Sequence, residues 1–380
     1  MAVPLWGDPA DWTNPAPLRG DVRADVCVVG LGGSGLAAVG ALLDAGATVA
    51  AIDAGPVAGG AAGRNGGFLL AGTARFHHDA VASWGRERAA ELYRETLAEI
   101  DRLAAELGPA IVRLTGSLRL PSGEVEAEDC AHQLEALRAD GFEAAASDGG
   151  VVVAGDGAVD PLARCRSLAR QALRRGARLF AGTAAVAIRG DRVRTPEGAV
   201  DCGAVVVAVD GGLERVLEEL GGRVRSTRLQ MLGTAPVAPR FPRPVYYRWG
   251  FDYWQQLPDG RVVLGGGRDR HAGTEWGAGP EPSDVVQEGL DALLRRKLGV
   301  EAPVTHRWAG VVGYTEDALP ILEVVRPGVL AVGGQNGHGN VIGSAAGRAA
   351  AAIALGEPAP ALARLLRPET WDDGSPSSRS

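Results

Sequence analysis

Near the start of the chain, apolar residues form a short run, then repeat with helical spacing, then form a second run. The first run, Val26–Val29, carries no charge and predicts a buried strand. Residues 30–35 are rich in glycine and predict a turn, and residues 36–45 predict a helix that Gly46 ends. Residues 48–52 predict a second strand. The pattern therefore predicts a strand–helix–strand unit.

The glycines of this turn have the spacing of a dinucleotide-binding fingerprint. We expect Gly30 to allow the tight turn, Gly32 to let a pyrophosphate approach the backbone, and Gly35 to let helix and strand pack closely. The free N–H groups and the positive dipole end of the helix would then face the diphosphate. Asp53 ends the second strand and is placed to accept hydrogen bonds from a ribose.

Two other interpretations of this stretch are open. It could be a glycine-rich turn of an unrelated α/β protein, because a chain with 55 glycines matches short glycine patterns by chance. It could also be a membrane span, since residues 26–43 carry no charge and are long enough to cross a bilayer. Five glycines inside that stretch, with Asp25 and Asp44 at its edges, favour strand, turn and helix.

The rest of the chain predicts a second α/β segment and one region of different character. Helical periodicity marks residues 84–107, 124–140, 162–175, 283–298 and 341–355. Apolar strands at 151–153 and 204–209 would extend the first sheet, the latter buried on both faces. Residues 214–306 alternate strands and turns. Residues 1–23 are polar and rich in proline, and we expect them to form an arm on the surface.

These elements predict an α/β fold with an α+β second domain. The first domain would be a Rossmann-like nucleotide domain, and the second an antiparallel-sheet substrate domain that covers it. The predicted boundaries assign three segments to the nucleotide domain and two to the substrate side, followed by a disordered tail: 18–75, 150–213 and 307–366; 76–149 (helical insertion) and 214–306 (sheet); 367–380.

Two further glycine-rich segments are candidate ligand loops. Residues 59–69 combine glycines with Arg64 and Asn65 and lead directly into an apolar run, which favours a loop lying against a flat ligand over a flexible linker. Residues 333–340 form a second strand-to-helix turn. A second helix N-terminus aimed at a ligand suits a cofactor with two polar ends.

Composition and charge exclude several classes of protein. The net charge of −7 disfavours nucleic acid and anionic membranes as partners. The first twenty residues have neither a basic start nor an apolar run, so we expect no secretory signal. The four cysteines form no CxxC pair, which indicates buried residues of a reduced cytoplasmic protein and neither a metal site nor a disulfide framework.

The order and spacing of several motifs resemble the FAD-dependent amine and amino acid oxidoreductases of the D-amino acid oxidase, glycine oxidase and sarcosine oxidase superfamily. The resemblance covers residues 18–364 and is nearest to the gamma-glutamylputrescine oxidase group. The segments that carry it are residues 25–53, 60–67, 160–161, 257–261, 308–310, 315–320 and 337–339.

The resemblance implies non-covalent FAD bound in extended form. The first glycine turn would hold the diphosphate, Asp53 the ribose, the loop around Asn65 the isoalloxazine, and the turn at 337–340 the O2 edge of the flavin. Sarcosine oxidases attach flavin through a cysteine near the position of Val312, and this chain has none there. The cofactor contacts that the resemblance implies are Gly30, Gly32, Gly33, Ser34, Gly35, Asp53, Ala54, Ala62, Arg64, Asn65, Gly66, Gly67, Val186, Ala208, Gly310, Asn336, Gly337, His338, Gly339 and Asn340.

Departures from the family pattern bear on the substrate. Amino acid oxidases of the superfamily pair an arginine with the substrate carboxylate, and the matching positions here are Val312 and about Gly337. An amine, or an amine with a distal polar group, is therefore the better expectation. The candidate substrate contacts are Tyr247, Trp249, Trp254 and Tyr314, where the aromatic rings either hold an ammonium by cation–π contact or pack within the sheet.

Catalytic residues are less well defined. Tyr314 and His338 are the candidates, although we favour a packing role for His338 because relatives need no strong acid or base. The amine would pass a hydride from its α-carbon to flavin N5, and the imine would hydrolyse. The lysine that activates oxygen in sarcosine oxidases has no counterpart, because Lys297 is predicted on a surface helix. The electron acceptor, oxygen or another molecule, therefore stays open.

Three functions follow from the sequence. The first is an FAD-dependent amine oxidoreductase. The second is an amino acid oxidase or dehydrogenase whose substrate carboxylate is held by another arginine, such as Arg248 or Arg268. The third is a flavin-binding subunit without catalytic activity.

Overall fold

The structure, a computed structural model, describes residues 3–7, 12–147, 149–277 and 279–371. By contacts between residues the chain divides into two compact units. We call the first the sheet unit; it comprises Met1–Trp6, Arg64–Pro161 and Ser226–Val312. We call the second the dinucleotide unit; it comprises Gly7–Gly63, Leu162–Arg225 and Gly313–Ser380.

The dinucleotide unit is built on a six-stranded sheet. Five neighbouring strands are parallel and the sixth, at the edge, is antiparallel. The central strands are buried along their whole length, which is why their sequences are continuous apolar runs. The spatial order is Arg178–Phe180, Val49–Ile52, Val26–Val29, Ala204–Val207, Val329–Gly333 and Ile321–Arg326.

Helices and a small sheet complete this unit. Helix Gly33–Asp44 packs closely on helix Ile342–Ala354. The contact requires glycine at position 347, because a Cβ there would lie 2.1 Å from the Ser34 carbonyl oxygen. The other helices are Pro161–Arg174 (which begins at the unit boundary), Leu213–Val216, Ala361–Leu366 and Pro368–Trp371, with 3-10 turns at Ala61–Gly63 and Glu218–Leu220. The small sheet contains Val22–Arg23, Gly198–Asp201, Arg192–Thr195 and Ala187–Arg189.

The sheet unit contains an eight-stranded sheet. Its strands are mostly antiparallel, with one parallel pair between Val245–Tyr247 and Ser117–Leu120. The spatial order is Val304–Tyr314, Arg225–Thr234, Val262–Gly266, Asp252–Gln256, Val245–Tyr247, Ser117–Leu120, Gly150–Val153 and Ala144–Ser147. A three-stranded antiparallel sheet joins Phe68–Leu69, Gly157–Val159 and Val112–Arg113.

The helices of the sheet unit cover parts of these sheets. They are His77–Trp84, Arg86–Leu107, Glu124–Ala139, Ala272–Glu275 and Asp284–Ala292, the last continued by a π-helical turn, Leu293–Lys297. One buried cluster joins the Asp284–Ala292 helix to the strands through Leu290, Leu294, Leu264 and Trp254. The predicted combination of a Rossmann-like domain with a largely antiparallel second domain is thus confirmed.

The structure corrects several local predictions. The helix predicted at 84–107 begins at Arg86, because Gly85 has φ 84° and separates it from a preceding helix, His77–Trp84, that was not predicted. The segment predicted as a surface arm contributes Leu5 and Trp6 to the buried interior. Among the described residues, no helix has the length and apolar character needed to cross a bilayer, and residues 26–43 form a strand, a turn and most of a helix.

Two predicted segments belong to a different sheet or structure than expected. The strand at 151–153 pairs within the eight-stranded sheet and not with the nucleotide sheet. Residues 64–75 fall in the sheet unit, because Phe68–Leu69 pairs with Gly157–Val159. The predicted tail, 367–380, begins with the helix Pro368–Trp371, and residues 372–380 lie outside the described residues.

Candidate cofactor and substrate sites

The first glycine turn has no room for side chains on its inner side. Gly30 has φ 115°, and a Cβ there would lie 2.4 Å from the Ala208 carbonyl oxygen. A Cβ on Gly35 would lie 1.9 Å from the Gly30 carbonyl oxygen. Gly32 precedes the helix, and its nearest neighbour would be the Ala62 Cβ at 3.3 Å. Protein packing thus requires Gly30 and Gly35, whereas Gly32 is suited to the approach of a ligand.

Asp53 holds the end of this turn. Its carboxylate accepts hydrogen bonds from the N–H of Leu31 at 2.7 Å and of Gly55 at 2.8 Å. Burial raises its pKa, and the two backbone hydrogen bonds oppose that effect. Because a carboxylate offers about four acceptor positions, further capacity remains for a ribose hydroxyl. The exposed Ala54 follows directly.

A buried arginine lies where two helices of the dinucleotide unit begin. Arg164 is 1% exposed, and its guanidinium donates to Asn340 Oδ1 at 3.0 Å and to the Ser344 hydroxyl. One guanidinium nitrogen is 3.1 Å from the ideal Cβ position of Gly33. Ser34 lies close by, with its hydroxyl oxygen 3.5 Å from the side-chain amide nitrogen, Nε2, of Gln335. Arg164 was not predicted from the sequence; the available signal was its position in the first turn of the helix predicted at 162–175, just after Asp160 and Pro161.

Asp210 organises the second glycine-rich turn. Its carboxylate accepts the N–H groups of Gln335 at 2.8 Å and Gly313 at 3.1 Å. The Gly313 carbonyl in turn accepts the N–H of Asn336 at 2.9 Å. Burial raises the pKa of Asp210 to about 6 despite these hydrogen bonds. The sequence analysis missed this residue too, although it directly follows the apolar strand predicted at 204–209.

Asp210→Asn should change how stability depends on pH. Because its folded pKa is about 6 and the ordinary value is about 3.9, the folded protein binds this proton more tightly than the unfolded chain. The resulting stability is fully present below about pH 4 and is lost as pH rises through about 6, at up to about 1.4 kcal/mol per pH unit. Urea unfolding across this range should show that loss in the wild type relative to D210N.

Asp259→Asn, in an exposed turn, is the matched control and should follow the wild type. Parallel curves for the wild type and D210N would contradict a raised pKa at Asp210.

The candidate catalytic residues lie beside the same turn. Asn336 has φ 54°, and its side chain accepts the N–H of Thr315 at 2.9 Å. Tyr314 Oη is 3.2 Å from the ideal Cβ position of Gly337, whose φ is 83°. His338 Nδ1 is 3.3 Å from the Asn336 carbonyl oxygen. A backbone contact of this kind supports the packing role for His338, whose function stays a prediction.

In the sheet unit, the carbonyl groups of the loop at 64–67 are bound by protein side chains. The indole N–H of Trp308 donates to the Arg64 carbonyl at 2.8 Å, and that of Trp6 donates to the Asn65 carbonyl at 2.9 Å. The Arg64 side chain is buried and donates through Nε to the Ala309 carbonyl at 2.8 Å. Burial lowers the pKa of Arg64.

The next two carbonyls are bound by one glutamine. Gln255 Nε2 donates to the Gly66 carbonyl at 2.6 Å and to the Gly67 carbonyl at 3.0 Å, while Arg113 donates to Gln255 Oε1 at 2.7 Å. Gly67 has φ 71°, and a Cβ there would lie 2.3 Å from the Val159 carbonyl oxygen. Four consecutive carbonyls are therefore fixed, so the loop presents a defined backbone surface.

An aromatic group lies against this loop. The ring of Phe68 stacks on Tyr246 with centroids 5.1 Å apart and meets Tyr253 edge-on at 5.7 Å. A Cβ on Gly66 would lie 2.9 Å from the Tyr253 ring. Tyr246 and Tyr253 are directly paired across neighbouring strands, so their side chains share one face of the sheet.

Three of the four residues predicted to bind substrate, Tyr247, Trp249 and Trp254, lie elsewhere in the sheet unit. Trp254 is 3% exposed and belongs to the buried cluster on the opposite face, with Tyr247 packed against it. Lys297 Nζ lies 4.8 Å from the centre of the Tyr247 ring. Trp249 is on an exposed loop and donates its indole N–H to Asp129. Because strand residues alternate between faces, we transfer the substrate prediction from Tyr247 and Trp254 to Tyr246 and Tyr253.

The remaining predicted contacts lie in mixed environments. Ala208 is buried and follows the strand Ala204–Val207. Val186 is 57% exposed and donates its N–H to the Arg194 carbonyl, so a cofactor contact would fall to another of its groups. Gly310 is buried within the strand Val304–Tyr314, and Gly339 lies against Gln335. The roles assigned to these residues stay predictions.

Each unit therefore contains residues that fit a part of FAD. In the dinucleotide unit, a tight glycine turn, a helix N-terminus and a buried guanidinium suit a diphosphate. In the sheet unit, a loop with fixed backbone and a flanking aromatic group suits a flat ring.

The family to which the chain belongs agrees with this chemistry. The family model described as FAD dependent oxidoreductase, abbreviated DAO, matches residues 25–353. The chain belongs to this DAO family of FAD-dependent oxidoreductases, which confirms the predicted family, enzyme class and cofactor.

Sequence identity to individual relatives is low. The chain is 28% identical to a probable oxidoreductase OrdL of Rhizobium meliloti and 26% identical to gamma-glutamylputrescine oxidoreductase of Escherichia coli. Both alignments cover 90% of this chain and 85% of the relative. The crystal structure of glycine oxidase from Geobacillus kaustophilus has a similar fold, with a TM-score of 0.72, 21% identity, and coverage of 88% of this chain and 95% of that one.

Proposed function

We propose that this FAD-dependent oxidoreductase oxidises the C–N bond of an amine to an imine, which water then hydrolyses to a carbonyl product. The observation that carries the proposal is the character of the two positions where amino acid oxidases place a carboxylate-binding arginine. Val312 is 6% exposed in the strand Val304–Tyr314, and Gly337 has φ 83°, a conformation that favours glycine. Neither can form the bidentate pair that holds a carboxylate.

The arginines considered for an amino acid substrate have other contacts. Arg248 forms ion pairs with Asp252, at 2.9 Å, and with Asp269. Asp252 also pairs with Arg270, so the positive charge of Arg248 is balanced within a group of two arginines and two carboxylates. Arg268 lies over the Phe251 ring at 4.9 Å. These contacts make a third, substrate carboxylate unfavourable at Arg248 and support the amine over the amino acid.

The aromatic group at Phe68, Tyr246 and Tyr253 supports the same substrate class. Aromatic faces bind alkyl chains and attract ammonium groups, whereas only the tyrosine hydroxyls of this group, and not its ring faces, can donate to a carboxylate. The Arg119 guanidinium lies 4.5 Å from the centre of the Tyr246 ring and 3.5 Å from the carboxylate of the buried Asp156. The name of the E. coli relative, which refers to gamma-glutamylputrescine, is consistent with an amine that carries a distal polar group.

The residues of the chain bind and orient, and the redox chemistry belongs to the cofactor. When bound, FAD would supply the acceptor for the hydride that leaves the α-carbon of the amine, and that hydride carries both electrons. We propose that attachment is non-covalent, since no cysteine is near Val312 and Arg64 occupies the loop position where some relatives have a histidine. None of the four cysteines, all of which lie in the described part of the chain, forms a disulfide, and the cytoplasmic location stays a prediction.

An anaerobic comparison of matched substrates tests the proposal. Putrescine and ornithine differ only by the carboxylate, so they separate an amine from an amino acid preference directly. In each such pair we expect the amine to bleach the absorbance of the oxidised flavin faster than the amino acid does. The amines compared should include N-acylated diamines. Tyr253→Leu should raise the substrate concentration needed for half-maximal bleaching, and Tyr247→Leu, on the opposite face, should not.

Faster bleaching by the amino acids would support the second function, with a carboxylate bound elsewhere. A protein that holds FAD but is bleached only by dithionite would support a non-catalytic subunit. Admitting air after bleaching then separates an oxidase, which recovers its absorbance rapidly, from a dehydrogenase that needs another acceptor.

A further inference from the structure

Two helices of the sheet unit bring two imidazoles and a carboxylate together. His78 lies on helix His77–Trp84, and Asp129 and His132 lie on helix Glu124–Ala139. One ligand atom of each residue lies within 4.8 Å of the corresponding atoms of the other two. Asp129 and His132 are three residues apart and so share one face of their helix. The expectation of no metal site rested on the cysteines alone, and about fifty residues separate the two halves of this cluster in the sequence.

The relative position of the two helices is fixed by other contacts. The N–H of His77 donates to Gln133, and the His77 side chain is 2.7 Å from Asp140. Both contacts are buried or partly buried and lie beside the cluster. The three side chains therefore converge on a rigid frame and need little reorganisation to share a ligand.

The carboxylate is oriented from outside the cluster. One oxygen of Asp129 lies 2.9 Å from His78 Nε2, and the other accepts the indole N–H of Trp249 at 2.6 Å. Hydrogen bonds of this kind to the outer oxygen of a ligating carboxylate are typical of metal sites. Trp249 belongs to a loop in which Arg248, Trp249 and Gly250 have successive φ values of 53°, 54° and 80°. The contact to Asp129 helps to hold this unusual backbone.

We propose that His78, Asp129 and His132 bind a divalent metal ion such as Zn²⁺. A simple ion pair accounts for His78 and Asp129 but not for the second imidazole, whose ring lies 5.7 Å from that of His78. Two imidazoles and one carboxylate are a preferred ligand set for Zn²⁺, with water or Asp79, 3.6 Å from His78, in the fourth position. The bound ion ties the two helices to the Trp249 loop.

Zinc titration of the FAD-loaded protein tests this site without using activity. After dialysis against metal-free buffer, calorimetry should show one Zn²⁺ per chain. His132→Ala should weaken binding at least tenfold, and since His132 is exposed we expect the variant to fold. Trp249→Phe removes the outer hydrogen bond and should weaken binding about tenfold. His306→Ala, on the edge strand Val304–Tyr314, is the matched control and should bind as the wild type does.

Fluorescence quenching gives a second test of where the ion binds. Paramagnetic Co²⁺ bound at this site should quench the emission of Trp249, so the quenched fraction should be smaller in W249F. Equal zinc binding by the wild type and H132A, or no binding by the wild type, overturns the proposal. The proposed amine oxidation is independent of either result.

Discussion

Gly35→Ala should deprive the protein of bound FAD and lower its unfolding free energy by about 3 kcal/mol. The added Cβ would lie 1.9 Å from the Gly30 carbonyl oxygen and 3.5 Å from the Ala208 Cβ. The carbonyl belongs to the backbone of the glycine turn, so relief requires the turn and the helix to separate. The entropic gain of replacing glycine, about 0.4–1 kcal/mol, is too small to compensate.

Gly40→Ala is the matched control for this prediction. Gly40 lies on the same helix, Gly33–Asp44, and the ideal position of its Cβ has open space around it. G40A should therefore keep its FAD and be as stable as the wild type or slightly more stable, because alanine favours the helix by up to about 1 kcal/mol. The measurements are flavin per chain after gel filtration and the thermal unfolding midpoint. Wild-type values for G35A would contradict the close approach of helix and strand.

The dinucleotide unit could be predicted from sequence because its signals are local. A strand buried on both faces is a continuous apolar run, and a glycine required by its neighbours a few residues away leaves a fixed spacing. Gly30 and Gly35 restrict each other across five positions, so both the turn and its helix are apparent in the sequence. The same local logic identified Gly337, where a second strand gives way to a turn and a helix.

The sheet unit was harder to predict because its pairings are long-range. The strand Gly150–Val153 lies between strands at 117–120 and 144–147, and nothing in its own apolar sequence distinguishes it from a parallel core strand. The register of Val245–Tyr247 on Asp252–Gln256 decides that Tyr253 faces the loop at 66–67 and Trp254 the opposite core. A shift of one residue would exchange these roles, and composition cannot fix it.

The roles of two polar residues, Arg164 and Asp210, could not be predicted from the sequence for the same reason, because their contacts are long-range. Arg164 meets Asn340 and Ser344 across about 180 positions, and Asp210 meets Gln335 across 125. In sequence each is one charged residue near the start of a helix or the end of a strand. Only the fold shows that both residues form hydrogen bonds with the second glycine-rich turn. Sites built from such distant charges need a structure, or variants, to be found.

Arg164→Met should weaken FAD binding about 100-fold, equal to roughly 2.7 kcal/mol, with a smaller effect on the fold. The guanidinium is buried and lies within 3.1 Å of the Gly33 Cβ position, at the helix N-terminus that the glycine fingerprint assigns to the diphosphate. In this low-dielectric position a fixed positive charge with planar donors stabilises a diphosphate more than an exposed arginine does. Methionine keeps much of the volume and removes the charge.

Titration of FAD into the stripped protein, followed by flavin fluorescence, gives the dissociation constants. Arg170→Met is the matched control, because Arg170 is exposed on the same helix, Pro161–Arg174, and packs over the Trp12 ring at 5.3 Å. R164K separates charge from geometry: it should recover part of the affinity, since lysine supplies the charge without the planar fork. If R164M lowered the unfolding midpoint while its FAD affinity equalled that of R170M, Arg164 would serve only to join Asn340 and Ser344 to its own helix, and the diphosphate would depend on the glycine turn alone.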